Sequence, residues 1–273
     1  MINNPDFIRN LIKGNNIIWY LMYYDELVMK SNCHLTFLEN ADLPFYNTAQ
    51  AVSDISTDSL HEIEHFYKKR NVVPAFYLDP ASVEWLKPYL EEHGYSELPS
   101  ELENWWGAQI EKSIVDVKFQ NYLKIPESHV KAEIIDPKND NDLNQFLAIN
   151  QTASQLPDPI VAKLRAHMQT RVYTGATNRI LIAYVNNVPA SVGTLGFYDN
   201  RVFLAEAGTL PQFQKLGLHT YTTLFFLKYA YECGARFAAL TCTHDSVTNF
   251  TSKRVGFELL FQRQFMRCNG YKG

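Results

Sequence analysis

The sequence predicts an α/β (α+β) fold, a mixed and mainly antiparallel sheet flanked by helices, joined to a second α/β domain. Three observations predict it. The second half of the chain reads helix, helix, three turn-linked strands, helix, strand, helix, strand, the order of a sheet that starts antiparallel and later crosses over. Of 273 residues, 46% are apolar and 14% aromatic, which supplies one large core or two smaller ones. A strand–helix–strand phrase also occurs twice, as AFYLDPASVEWLKPYLEEHGYSEL and as FAALTCTHDSVTNFTSKRVGFELL. Each runs strand, Ser-Val, helix, Gly-aromatic, Glu-Leu. This is either a degenerate internal copy or convergent strand–helix grammar. The division is set at residues 1–127 and 128–273.

Taken in order, the elements follow from period and punctuation. Ile17 to Tyr24 is an apolar run that suits a strand or a buried helix. Asp58 to Lys69 places Leu60, Ile63 and Phe66 on one helical side, and VVPAFYL is a buried strand. SVEWLKPYLEEHGY is a helix ending near Gly94, with Pro88 as a kink point. After Trp105 and Trp106 the pattern restarts. KAEIID reads as a strand, and DLNQFLAINQTA as a helix capped by Asp142. Pro159 to Thr170 is a further helix. RILIAYV, PASVGTLGFY and RVFLAEAGTL are strands turned by Asn186-Asn187 and Asp199-Asn200. Gly217 to Cys233 is a helix stopped by Gly234, FAALTC a strand, SVTNFTSKRV a helix, and FELLFQRQFMR a final strand or hairpin.

The net charge is −4, but it is unevenly spread. Residues 160–273 hold 13 Lys+Arg against 5 Asp+Glu, and residues 1–159 hold 12 against 24. A basic half suits an anionic ligand, and chance surface charge explains it equally well. The basic residues are dispersed, so no nucleic-acid partner is expected. Cys33, Cys233, Cys242 and Cys268 are scattered without metal-ligand spacing. We expect no metal, reduced thiols and a cytoplasmic protein. Asp25 and Glu26 interrupt the one N-terminal apolar run, so neither a signal peptide nor a membrane partner is expected.

The stretch PQFQKLGLHTY, residues 211–221, stands where a strand ends and a helix begins. Pro211 cannot donate to a ladder and releases the chain from the sheet. The amides that follow have no partner inside the helix, and the helix dipole adds partial positive charge. Lys215 adds a cation, Gln214 an amide donor, and Gly217 room for close approach. The alternative is an ordinary solvated connection.

With Gln214, Gly217 and His219 at the motif positions, residues 131–267 resemble the GNAT superfamily of acyl-CoA N-acyltransferases. The likeness extends through the strand ending Thr209-Leu210-Pro211, the helix ending at Gly234, the next strand, and Gly256-Phe257. It implies a GNAT-like sheet that binds acetyl-CoA (coenzyme A) as co-substrate and passes the acetyl group to an amine. The implied cofactor contacts are Thr209, Leu210, Gln214, Lys215, Leu216, Gly217, Leu218, His219 and Thr220, with a backbone NH near Leu210 for the oxyanion. Gly217→Glu is then expected to abolish CoA affinity with the fold intact.

Two departures stand out: His219 occupies a small-residue position, and Ser252 stands where many members have a tyrosine as general acid. Asn249 is either a partner for the pantetheine arm or a helix-surface amide. Glu206, the one carboxylate in its strand, is the preferred base or else a structural glutamate, with His244 and Asp245 as rivals. Cys242 is more simply an inert thiol than a nucleophile. Trp105, Trp106, Tyr46 and Phe45 either line an acceptor pocket or pack the core. The acidic first half suits a cationic acceptor or is merely solvated. Oligomeric state stays open. Alternatives to an acetyltransferase are a non-catalytic acyl-CoA-binding sensor or scaffold, and a structural partner protein with no ligand.

Overall fold

A computed structural model describes residues 4–39, 41, 46–80, 82–98, 102–244 and 246–268. The chain begins with α1 (Pro5–Met22), opened by Asn4, whose side chain accepts from the amides of Asp6 and Phe7. The apolar run Ile17–Tyr24 is therefore the end of a helix, not a strand. A meander follows, β1 (Glu26–Lys30), β2 (Cys33–Phe37) and β3 (Thr48–Ala51), then α2 (Thr57–Lys68) and β4 (Ala75–Leu78). α3 (Val83–Glu92) retains Pro88 inside it, and β5 (Tyr95–Glu97) follows. β6 (Glu103–Gln109) carries both tryptophans, a strand the sequence reading passed over.

A short α4 (Lys112–Val115) and irregular turns lead to β7 (Val130–Ile135). α5 (Asp140–Ser154) is capped by Asn139 rather than Asp142, because the Asn139 carboxamide oxygen accepts from the amides of Asn141 and Asp142. After α6 (Asp158–Thr170) come β8 (Ala176–Val185), β9 (Val188–Tyr198) and β10 (Arg201–Thr209). The β8–β9 turn is the Asn186-Asn187 pair, both with positive φ as a tight hairpin requires. α7 (Leu218–Glu232), β11 (Phe237–Thr243), α8 (Val247–Arg254) and β12 (Glu258–Cys268) complete the fold.

Among the described residues the twelve strands form one sheet, ordered β1-β2-β3-β4-β12-β6-β11-β10-β9-β8-β7 with β5 beside β12. Only β3–β4 and β10–β11 pair in parallel. Each parallel pair joins through one helix, α2 or α7, after an antiparallel meander, so the two halves repeat one topology. The mixed, mainly antiparallel sheet predicted from sequence is what forms.

The halves also exchange strands. β6, from the first half, lies between β11 and β12. The tail of β12, from Gln264 to Cys268, lies between β4 and β5. The division at 127/128 therefore does not coincide with a break in the sheet.

α1 crosses the same boundary and packs on β8, β9 and β10 and against α6. It sits close because Gly14 leaves room for Phe203, whose ring would come within 2.5 Å of a Cβ there. Below α1 the core gathers Leu11, Ile18, Phe146, Ile180, Val192 and Phe203. The opposite face of the sheet is covered by α7 through Leu218, Leu224 and Leu227. No helix among the described residues is long and apolar enough to cross a membrane.

Candidate active site

The site grows from an interruption in the sheet. β10 and β11 pair in parallel only from Arg201/Phe237 to Leu204/Leu240. Beyond that the strands part, and backbone groups of residues 205–209 on the β11 side lose their ladder partners. At the same place β10 carries a bulge: Leu204 pairs with Leu195, but Ala207 pairs with Gly193. Ala205 and Glu206 thus share the single opposing residue Thr194. Plain alternation would turn Glu206 toward α7. The extra residue turns it toward α1 and α5, where Tyr23, Tyr46 and Asn150 surround it.

Burial raises the Glu206 carboxyl above its ordinary range, and the Tyr23 hydroxyl and Asn150 amide partly oppose that rise. Both donors stand beside the carboxyl, and both are buried with no other partner. Glu206, partly exposed as a residue, lines a cavity of about 150 Å³, whose walls also include His219, Thr223, Thr241 and Ser252.

Next to it lies a cleft of about 420 Å³ between the end of β10, the start of α7 and α8. The two spaces share Ala207, His219, Thr248 and Thr251. The outer cleft is walled by Thr209, Gln214, Lys215, Gly217, Leu218 and Thr220, six of the residues predicted from the motif, with His219 at its inner end. The start of α7 is uncapped: its N-cap is Gly217 at φ 91°, and no side chain bonds the first turn. The amides of Leu218, His219 and Thr220 find no acceptor among the described residues. Lys215 is also left-handed, at φ 63°, and exposed. Alternate turning of this kind aims amides into a concavity suited to an anion.

The corresponding helix start of the first half is built the opposite way. α2 is capped by the Ser56 side chain, which accepts from the Ser59 amide, and Asp58 sits in its first turn. Those groups satisfy and repel where α7 leaves donors free, so the α2 start is not shaped for an anion as the α7 start is.

Several expectations change. Gly217 gives room mainly to the protein itself: a Cβ would overlap the Tyr122 carbonyl oxygen and lie 2.9 Å from its carbon. The connector is further fixed by the Lys124 amide, which donates to the Leu216 carbonyl at 3.0 Å. One side of Gly217 is thus covered, while the other lines the cleft. The Leu210 amide is no oxyanion donor, because it donates to Ala190 at 2.9 Å.

Asn249 is not brought into the cleft. Its carboxamide oxygen accepts from Asn104 at 2.7 Å and from the Trp106 indole at 3.0 Å, tying α8 to β6. Trp105 is core, stacked on Phe261 and donating to Glu103. Of the aromatics suggested for an acceptor pocket, Tyr46 stands by Glu206, while Phe45 lies outside the described residues.

The His219 ring turns inward, with Nε2 3.4 Å from the Thr248 hydroxyl, and burial lowers its pKa, leaving it neutral. His244 is held by Asn104 and Gln262 on the far side of α8, away from the gap. Asp245 lies outside the described residues. Burial raises the Cys242 thiol, which suits an inert role. Ser252 is buried, donates to the Thr248 carbonyl at 2.7 Å and lines the inner cavity, so no phenol occupies that wall. No group of metal-ligating residues occurs among the described residues.

Lys215 gives a clean test of the anion site, because its exposed side chain supports no packing. Lys215→Glu is expected to weaken the binding of an anionic ligand at the α7 start about tenfold with an unchanged melting temperature. Isothermal titration calorimetry reads it.

No protein-family model matches the chain, and no curated protein matches it in sequence. Solved structures do resemble it. A GCN5-related N-acetyltransferase from Kribbella flavida superposes with a TM-score of 0.65 at 16% identity, covering 97% of this chain and 95% of that one. A tandem GNAT protein from the clavulanic acid biosynthesis pathway gives 0.64 at 10% identity, over 86% of this chain and 78% of that one. A GCN5-related N-acetyltransferase from Sphaerobacter thermophilus gives 0.63 at 11% identity, over 93% and 84%. The parted strands, the bulge and the uncapped helix start sit in a chain that has the GNAT superfamily fold, and one of the structures it resembles is a tandem GNAT protein.

Proposed function

We propose that the chain transfers an acetyl group from acetyl-CoA to a primary amine of a small molecule or peptide by direct attack. The observation that carries this is the adjacency of three features on two neighbouring cavities. The uncapped α7 start, the gap between β10 and β11, and the Glu206 carboxylate follow one another through two adjoining spaces. On this reading the amides of residues 218–220, with Lys215, hold the pyrophosphate. Gln214 braces the loop by donating to the Thr209 carbonyl at 3.3 Å. The pantetheine arm lies along the unpaired edge of β10 and takes up its free backbone groups.

Glu206 accepts a proton from the attacking amine. The new bond is C–N, the broken bond is C–S, and the departing thiolate takes its proton from solvent, since Ser252 offers no acidic phenol. A carboxyl raised by burial is a better proton acceptor near neutrality than an ordinary glutamate. The halves 1–127 and 128–273 are read as related units, of which only the second binds the cofactor.

Acetyl-CoA at 100 times its dissociation constant is expected to stabilise the protein by about 2.7 kcal/mol. A panel of amines is expected to release free CoA. Stabilisation without thiol release from any amine would favour a non-catalytic acyl-CoA sensor, the reading that the serine at position 252 supports. Absence of stabilisation would remove both readings.

A further inference from the structure

The carboxyl of Glu206 is ringed by polar groups that no other part of the protein uses. The Tyr23 hydroxyl and the Asn150 amide nitrogen are buried, unpartnered and beside it. The Thr194 hydroxyl, opposite the bulge, is also buried and unpartnered. Two such atoms beside one carboxyl, with a third on the residue opposite the bulge, is an unusual concentration, because buried polar groups normally find partners.

Their placement is not accidental slack. The Asn150 oxygen is taken by the Ser154 hydroxyl at 3.2 Å, which leaves the NH₂ end for Glu206. Tyr23 caps α1, and its neighbours are pinned to α6. Arg171 donates to the carbonyls of Tyr24 at 2.7 Å and Asp25 at 3.1 Å, and Lys163 pairs with the Asp25 carboxylate at 2.5 Å.

We propose that Tyr23 and Asn150 are positioning residues that hold the Glu206 carboxylate at the gap between β10 and β11, so that the N-terminal half completes the reaction site. This rests on the reading of Glu206 as proton acceptor. It gives the first half a function beyond packing: the helix laid across the second half delivers a hydroxyl donor beside Asn150, the donor that the second half supplies itself. The other groups facing Glu206 do not compete. Tyr46 is kept neutral by burial, as is His219, which shares the cavity wall, and no Lys or Arg affects the carboxyl. Removing a donor from a charged acceptor should raise the Glu206 pKa by about one unit.

The test is a ¹³C NMR titration of glutamate carboxyls in the full chain, with the Glu206 signal assigned by its loss in Glu206→Gln. Tyr23→Phe keeps the ring and removes the donor. It is expected to raise the Glu206 titration midpoint by about one unit, leave acetyl-CoA affinity unchanged, and move the acid limb of kcat/KM upward equally. Asn150→Ala reads the same quantity should Tyr23→Phe fail to fold. An unmoved Glu206 titration in a folded variant overturns the proposal, even if amines are acetylated normally. A shifted titration with no thiol release from any amine leaves the positioned carboxylate standing and rejects the transferase reading instead.

Discussion

Gly217→Ala is expected to destabilise the protein by about 3 kcal/mol and to lower acetyl-CoA affinity with it. Two costs add. Gly217 holds φ 91° and ψ 4°, a left-handed conformation that costs an L-residue about 1–2 kcal/mol. The new methyl also meets the Tyr122 backbone, which is tied to the loop by the Lys124–Leu216 hydrogen bond and cannot swing aside as a side chain would. Overpacking of this kind costs about 1–3 kcal/mol. Chemical denaturation gives the stability change, and calorimetry of the surviving folded protein gives the affinity. The same geometry revises the expectation that Gly217→Glu spares the fold: glutamate meets the same carbonyl. Lys215→Glu, not a change at Gly217, is the variant that separates binding from folding.

Glu206→Gln is expected to lower kcat about 100-fold, a loss at the lower end of that seen when a general base is removed. It should also raise the melting temperature at pH 7.5. The sign follows from the raised carboxyl. In the folded protein Glu206 holds its proton to higher pH than in the unfolded chain. Stability is therefore undiminished while both states are protonated. It falls as pH rises from the unfolded value, about 4.3, through the folded one. Glutamine has no charge to bury, so its advantage should appear in neutral buffer and fade near pH 4. Stopped-assay rates and thermal melts across pH check both halves of this expectation. Equal melting temperatures at pH 7.5 would place Glu206 in solvent and out of the mechanism.

Much of the second half was legible because its signals are local. Asn186-Asn187 fixes a turn, Gly234 stops a helix, and Pro211 ends a strand, each through the backbone geometry of its own residue. The uncapped helix start was legible for the same reason, since it is made of consecutive residues. The first half was harder. Asn15 and Asn16 interrupt the apolar run of α1, and the helix is held by tertiary contact with strands some 180 residues away, through Gly14 and Phe203.

Contacts formed by strand exchange left no local trace. Nothing around Asn249 announces that its oxygen would be claimed by Asn104 and Trp106 from the other half. Nor does the chain near Glu206 reveal a bulge. That shift depends on how β10 registers on β9, and it decides which face the carboxylate takes. Tyr23 and Asn150 were missed because they meet Glu206 only once α1 and α5 have packed.

The most direct measurement is a crystal structure of the protein with acetyl-CoA. The account predicts pyrophosphate oxygens on the amides of Leu218, His219 and Thr220, the pantetheine between β10 and β11, and the thioester carbon facing Glu206. Pyrophosphate bound elsewhere, or the helix start closed over by the connector at Tyr122, would contradict it.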